Sequence, residues 1–298
     1  MMSKIKLKGV MPPMITPFKE NGDVDYEGFV SNIEKWNETG MSGYLVLGSN
    51  SETVYLSEKE KLELVRLAVK TKKEGRYLLV GSGMESLRET IELTNKAGEI
   101  GADAALILTP NYYNTAMTSE ALINYFTKVA DNTNIPILIY NVPKFTHINI
   151  KADAIEKLSR HPNIIGMKDS SGDMPQMATW KRIVPEDFNL FVGTASAWFP
   201  ALALGVEGAI LALANSNPNE CVKVQELFEK GKWEEARELY QRVFPVNTAV
   251  TGTYGIPGLK YVCDKLGYTG GYPRTPLLPI KEEGKTALDE ILEKAHVI

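Results

Sequence analysis

The segment IIGMKDSSG, residues Ile164–Gly172, runs from apolar residues through one lysine into small polar residues. Ile164, Ile165 and Met167 are typical of a buried parallel strand. Lys168 comes where that strand gives way to polar residues, and burial there would lower its pKa and expose a neutral amine. A neutral amine can attack a carbonyl and form a Schiff base. A surface lysine at the start of a loop would give the same pattern.

Short apolar runs alternate with longer amphipathic stretches from Gly9 onward, which indicates repeated βα units and a parallel sheet. Eight units predict an α/β fold, a (β/α)8 TIM barrel over residues 1–230. The predicted strands are Gly9–Ile15, Gly43–Leu47, Tyr77–Gly81, Ala104–Leu108, Pro136–Tyr140, Ile164–Lys168, Asn189–Val192 and Gly208–Ala212. The alternative is an open doubly wound sheet, which usually has a glycine-rich phosphate loop, and neither GxGxxG nor GKS/T occurs here.

Residues 231–298 follow the eighth unit and show three further helix patterns, at Trp233–Val243, Pro257–Leu266 and Lys285–Ala295. Their apolar residues are too few to build a separate core. We therefore predict a C-terminal helical extension that packs on the barrel as part of one structural unit.

The composition narrows the class of partner. The chain has 37 acidic and 33 basic residues without a basic stripe, which favours a small-molecule substrate over nucleic acid or an anionic membrane. Two distant cysteines and three scattered histidines suggest neither a disulfide framework nor a metal site, and no cofactor is predicted. The first residues lack a signal-type apolar segment, and no apolar run approaches the roughly 18 residues of a membrane span, so we expect a cytoplasmic protein.

In a barrel, the loops that follow the strands carry the active site. GSNSE at Gly48–Glu52 follows the second strand, and its backbone N–H groups could form a nest for a carboxylate. TPNYYN follows the fourth strand and contains Tyr113, and the run ILIYNVP at the fifth contains Tyr140. A tyrosine beside a neutral lysine can relay protons, although both tyrosines also suit packing at the barrel rim. Together these groups describe a Schiff-base site for a 2-oxo acid.

The segments GSNSE, TPNYYN, YNVP, GMKDSSGD and GVEGAILALAN resemble the pyruvate-dependent class I aldolase and lyase family of dihydrodipicolinate synthase and N-acetylneuraminate lyase, from about Gly9 to Leu278. The resemblance implies a (β/α)8 barrel with C-terminal helices, a homotetramer built as a dimer of dimers, and pyruvate bound as a Schiff base. It implies that Lys168 is the Schiff-base lysine and Tyr140 the proton-relay tyrosine.

The same resemblance implies the remaining site residues. Ser49 and Asn50 would hold the pyruvate carboxylate, with Ser49 also counted among the catalytic groups. Tyr113 would complete the proton relay by reaching into a neighbouring subunit's site. Further substrate contacts are expected from Ser170, Gly193 and Ile210.

Departures from the family pattern bear on the second substrate. Phe145 stands where dihydrodipicolinate synthases typically carry an arginine for that substrate's carboxylate, and Ser51 stands where the family usually has glycine. KDSSGD and the C-terminal stretch AVTGTYGIPGLKYVCDKLGYTGGYPRTPL resemble the 4-hydroxy-2-oxoglutarate aldolase branch instead. The main prediction is therefore a lyase that makes or cleaves a C–C bond between pyruvate and an aldehyde, such as 4-hydroxy-2-oxoglutarate aldolase.

Three alternatives remain open. The first is 4-hydroxy-tetrahydrodipicolinate (dihydrodipicolinate) synthase, which condenses pyruvate with aspartate semialdehyde, with Lys144 or another cation replacing the missing arginine. The second is a non-catalytic barrel that binds a 2-oxo acid as a sensor. The third is a metal-dependent class II aldolase, against which the lack of a histidine and carboxylate cluster argues.

Overall fold

The computed structural model describes residues 5–298, along which eight strands alternate with helices. The strands are β1 (Gly9–Met11), β2 (Gly43–Val46), β3 (Tyr77–Gly81), β4 (Ala104–Leu108), β5 (Ile137–Asn141), β6 (Ile164–Asp169), β7 (Asn189–Val192) and β8 (Gly208–Ile210). Each predicted strand is present, but β1 and β8 end earlier than predicted and β6 continues one residue past Lys168.

The helices complete the repeats and form the C-terminal segment. They are α1 (Tyr26–Asn37), α2 (Glu58–Thr71), α3 (Leu87–Ile100), α4 (Ser119–Asp131), α5 (Pro143–Thr146), α6 (Ala152–Leu158), α7 (Met174–Ile183), α8 (Trp198–Ala203), α9 (Pro218–Glu229), α10 (Trp233–Thr248), α11 (Gly255–Lys265) and α12 (Glu282–Lys294). Helix α10 continues through Pro245 and runs into a wider π-helical turn at Ala249–Thr253, beyond the end at Val243 predicted from the sequence. None of the helices in residues 5–298 is both long and apolar enough to cross a membrane.

The strand order is β1-β8-β7-β6-β5-β4-β3-β2, and the pairs from β3 to β8 are parallel. Eight parallel strands in sequence order with helices between them define a (β/α)8 barrel. The predicted fold class, including the C-terminal helices, is confirmed.

Contacts group the chain into two compact units. Their bounds differ from the predicted boundary between a barrel at residues 1–230 and helices at residues 231–298, and that boundary stays a prediction. The first unit contains residues 5–8 and 77–210, with β3 to β8. The second contains residues 9–76 and 211–298, so the C-terminal helices belong with β1 and β2. Within this second unit Asn32 Nδ2 donates to Thr269 O at 2.8 Å, and Trp36 Nε1 donates to Asn215 O at 3.1 Å.

Strand β6 holds Lys168 in a buried position near the end of the strand. All six residues of the strand are buried, as expected of a strand covered on both faces. A Cβ at Gly166 would lie 2.4 Å from the Asn189 carbonyl oxygen, so the missing side chain lets β7 approach β6 closely. Pairing then places Lys168 between Tyr140 of β5 and Phe191 of β7.

Candidate active site

The Lys168 amine lies beside the Tyr140 ring in the interior of the first unit. Its Nζ is 4.5 Å from the ring centroid, and the two residues are 3% and 7% exposed. Burial lowers the pKa of Lys168, while the electrostatic interaction and the side-chain hydrogen bond with Tyr140 oppose that shift. The surface-loop alternative for this lysine is therefore wrong, and the buried strand-end position predicted from the sequence is confirmed.

Strand pairing brings these two side chains together. Tyr140 is in register with Leu108 of β4 on one side and with Lys168 of β6 on the other. Because parallel strands end at the same edge of a sheet, residues at equal heights on β5 and β6 share one surface. The tyrosine hydroxyl and the lysine amine are thus held by backbone hydrogen bonds and not by a flexible loop.

The next residue on each strand forms a buried polar pair. Asn141 Nδ2 donates to Asp169 Oδ1 at 2.7 Å, and Ser171 Oγ donates to Asp169 Oδ2 at 2.6 Å. Burial raises the pKa of Asp169, and the hydrogen bonds from Ser171 and Asn141 oppose the rise. This pair was not predicted from the sequence, although Asn141 directly follows Tyr140 and Asp169 directly follows Lys168. Because adjacent strand residues point to opposite faces, the pair ties β5 to β6 from the side away from Lys168.

Gly193, directly after β7, leaves the room that Lys168 and Ser170 occupy. A Cβ at Gly193 would lie 2.0 Å from Ser170 Oγ and 2.7 Å from Lys168 Cε. Its N–H donates to the Asp169 carbonyl at 2.6 Å, so the backbone at this point is fixed to β6. The structure therefore groups four of the predicted site residues, namely Lys168, Tyr140, Ser170 and Gly193.

Two other predicted residues of the first unit have different environments. Tyr113 is 72% exposed and packs edge-on against Tyr112, with ring centroids 5.0 Å apart, so a single chain does not bury it with Lys168. The backbone of its loop is held by Glu85, whose carboxylate accepts from Asn111 N at 3.0 Å. Ile210 is the last residue of β8 and is fully buried.

Ser49 and Asn50 lie in the second unit, in a single 3₁₀ turn, and both are half-buried. The turn is bracketed by Leu47 at φ 60° and Glu52 at φ 54°, left-handed conformations that cost a non-glycine residue about 1–3 kcal/mol each. Ser51 does not adopt a left-handed conformation, and its buried Oγ donates to Met14 O at 2.6 Å. Serine therefore fits where the family usually has glycine.

The loop after β5 carries the departure from the synthase pattern. Phe145 lies in helix α5 and is 54% exposed, with Lys144 Nζ 5.7 Å from its ring centroid. Lys144 is also exposed, so the loop presents one aromatic ring and one cation side by side. Within residues 5–298 there is no cluster of three or more histidine, cysteine or acidic side chains that could hold a metal ion.

A buried amine of lowered pKa beside a tyrosine hydroxyl, at the end of a barrel strand, has the groups that a class I Schiff-base lyase needs. Comparison with known proteins places the chain among such enzymes. It belongs to the dihydrodipicolinate synthetase family, whose model matches residues 6–295. This is a family of pyruvate-dependent class I lyases, so the family predicted from the sequence and the lyase class are both confirmed.

Individual relatives agree over nearly the full length. The 4-hydroxy-tetrahydrodipicolinate synthase of Archaeoglobus fulgidus is 35% identical over 292 residues, which cover 98% of this chain and 99% of that protein. The crystal structure of dihydrodipicolinate synthase from Aquifex aeolicus has a TM-score of 0.91 at 32% identity and covers 97% of this chain and 98% of that one. The chloride-inhibited dihydrodipicolinate synthase from Acinetobacter baumannii, complexed with pyruvate, has a TM-score of 0.93 at 26% identity, with 98% and 100% covered.

Substitution of Gly193 tests the packing around the amine. In Gly193→Ala the new methyl group would overlap Ser170 Oγ and Lys168 Cε, so it should displace the amine from Tyr140 and lower kcat by roughly tenfold or more. The measurement is steady-state turnover together with the midpoint of urea unfolding. Gly252→Ala is the control, because a Cβ at Gly252 meets no atom within 4 Å. Equal turnover in the wild type and Gly193→Ala would show that the close approach has no role at the site.

Proposed function

We propose that Lys168 forms a Schiff base with pyruvate and that the chain joins the pyruvate methyl carbon to an aldehyde, or catalyses the reverse cleavage. The observation that carries the proposal is the buried Lys168 amine beside Tyr140. The neutral amine attacks the keto carbon, and the resulting carbinolamine loses its hydroxyl as water after receiving a proton. Tyr140 is positioned to supply that proton. The protonated imine then accepts the electron pair left when a methyl proton departs, which gives the enamine that attacks the aldehyde.

The other groups of the site complete this proposal. Ser49 and Asn50 hold the pyruvate carboxylate, which is supported by their place directly after a barrel strand and by the turn that they form. Ser170, Gly193 and Ile210 contact substrate at the ends of the neighbouring strands. Tyr113 relays a proton in a neighbouring subunit of a homotetramer, which its exposure in the single chain supports. The protein carries out this reaction in the cytoplasm.

For the aldehyde, the comparisons favour the alternative over the main prediction. The relatives with 30–36% identity carry the name 4-hydroxy-tetrahydrodipicolinate synthase, which supports condensation of pyruvate with aspartate semialdehyde. Lys144 then meets the semialdehyde carboxylate in place of the missing arginine, because it is the cation beside Phe145. Membership of a lyase family also argues against the sensor alternative.

One observation favours a second candidate, the 4-hydroxy-2-oxoglutarate aldolase of the main prediction. An exposed phenylalanine, and not a guanidinium, occupies the loop position after YNVP. An aromatic ring cannot form the paired hydrogen bonds through which arginine binds a carboxylate. Whether Lys144 and Phe145 bind the carboxylate of aspartate semialdehyde therefore decides between the two aldehydes.

Reductive trapping tests the Schiff base. Borohydride added with pyruvate should leave a stable secondary amine on Lys168, detected as added mass on its peptide. Because burial lowers the pKa of Lys168, its neutral fraction at pH 7 exceeds that of an exposed lysine, which is about one in a few thousand. Lys168→Ala should abolish labelling and turnover, and Lys144→Ala should retain labelling. Turnover with labelling at another lysine, or with none, would contradict the mechanism.

Removal of the Tyr140 hydroxyl tests the proton relay. Tyr140→Phe keeps the buried ring but cannot protonate the carbinolamine, so kcat should fall by roughly 10²–10⁴-fold. The unfolding midpoint should change little, which a urea titration would check. Near-normal turnover would reduce Tyr140 to a packing residue.

The aldehyde is tested by measuring condensation with aspartate semialdehyde and cleavage of 4-hydroxy-2-oxoglutarate side by side. For a synthase, kcat/KM should be higher with the semialdehyde, and Lys144→Met should raise its KM about tenfold through loss of a charge-assisted hydrogen bond. Phe145→Arg introduced into Lys144→Met should restore that KM. A higher kcat/KM for the oxoglutarate, with no effect of Lys144→Met, would instead support the aldolase.

A further inference from the structure

We propose that Glu52 and Lys260 form a positioning pair that holds the Ser49–Ser51 turn in the shape that binds the pyruvate carboxylate. The inference rests on the proposed function, and all of its residues lie in the second unit. It assigns a role in substrate recognition to the C-terminal helices, through a buried ion pair that lies outside the predicted site.

The turn needs an external support. Its internal hydrogen bonds are Ser51 N to Gly48 O at 3.0 Å and Glu52 N to Ser49 O at 3.1 Å. At both ends the backbone is left-handed in a residue other than glycine, Leu47 before it and Glu52 after it. Such conformations persist where surrounding contacts impose them, and they concentrate at ligand sites. Two side chains of this segment make such contacts, namely Ser51, whose Oγ donates to Met14 O, and Glu52, whose carboxylate contacts the C-terminal segment.

Lys260 of α11, in the C-terminal segment, forms an ion pair with the Glu52 carboxylate. Its Nζ lies 2.5 Å from Glu52 Oε1, and the two side chains are 1% and 0% exposed. The same ammonium donates to Tyr272 O at 2.6 Å and lies 4.5 Å from the centroid of the Phe18 ring. Carbonyl, carboxylate and aromatic ring together replace the water that this charge has lost.

The second oxygen of the same carboxylate is also bound. Arg274 N donates to Glu52 Oε2 at 2.8 Å, while the Arg274 guanidinium donates to both oxygens of Glu60, at 2.6 and 3.0 Å. That guanidinium also lies 4.4 Å from the Phe18 ring centroid. The C-terminal segment thus contacts both carboxylate oxygens of Glu52, through Lys260 and Arg274. Arg274 also binds Glu60, which lies in the first turn of α2.

Because both side chains of the Glu52–Lys260 pair are buried, each charge depends on the other for compensation. Burial lowers the pKa of Lys260 to about 8, and the nearby charge of Glu52 opposes that shift. Removing Lys260 leaves the Glu52 carboxylate buried without its counterion, so we expect the Glu52 side chain to shift toward water and the backbone of the turn to shift with it. We expect this movement to displace the backbone N–H groups of Ser49 and Asn50, the Ser49 hydroxyl and the Asn50 side-chain amide. Loss of the pair should therefore weaken carboxylate recognition and leave the Lys168 amine intact.

The test compares full-length variants by borohydride trapping and by steady-state kinetics. Lys260→Met should raise the pyruvate concentration needed for half-maximal trapping, and the KM for pyruvate, about tenfold or more, with kcat within a few fold. Trapping of acetaldehyde, which has no carboxylate, should keep the wild-type concentration dependence. Lys265→Met is the matched control, because Lys265 lies on the same helix in an exposed ion pair with Asp289 at 2.8 Å.

The double variant Glu52→Gln/Lys260→Met separates positioning from folding. It removes both charges and leaves no buried ion unpaired, so it should stay folded and still show the selective rise for pyruvate. An unchanged pyruvate dependence in Lys260→Met and in the double variant would overturn the inference. A parallel loss of acetaldehyde and pyruvate trapping in the folded double variant would overturn it too, since the pair would then be merely structural. Failure of the wild type to trap pyruvate on Lys168 would instead reject the proposed function itself.

Discussion

The desolvation of the Lys168 amine is the constraint on which the site depends. A lysine charge in a fully buried strand is unfavourable, and the protein lowers the pKa of this lysine instead of neutralising the charge with a carboxylate. Burial also lowers the pKa of Lys260, to about 8, but this amine faces Glu52 at 2.5 Å, whose charge opposes the shift. The two lysines therefore differ in the polar group beside them, a tyrosine for Lys168 and a carboxylate for Lys260. That difference fits the roles proposed for them, a nucleophile for Lys168 and a positioning cation for Lys260.

The first unit supports the amine through the backbone. Parallel pairing sets Tyr140 level with Lys168, and the next pair, Asn141 and Asp169, joins the same strands on the opposite face. A one-residue slip between β5 and β6 would turn every side chain to the other face and separate both pairs together. The buried Asn141–Asp169 hydrogen bond thus disfavours the slip that would also remove the tyrosine from the amine.

Much of the fold and part of the site could be predicted from the sequence, for a physical reason. Buried parallel strands are continuous apolar runs, so β2 to β7 were found to within a residue or so, and Lys168 stood out as a charge at the end of such a run. What the sequence could not show were contacts between distant segments, of which Glu52 with Lys260 is the clearest. Helix α10 continues past its predicted end at Val243 and contains Pro245, although a proline removes a backbone donor and usually kinks or ends a helix. The domain boundary, the oligomer and the roles of the site residues remain predictions.

In the proposed function, the amine chemistry and the choice of aldehyde depend on residues in different parts of the repeats. Lys168 and Tyr140 lie on paired strands, where any displacement disturbs the core, so relatives about one-third identical can share the pyruvate step. Lys144 and Phe145 lie on a short exposed helix, where a substitution changes only the local charge and shape. In the proposed function, Phe145 on this exposed helix can change which aldehyde the enamine meets without altering the step that forms the enamine.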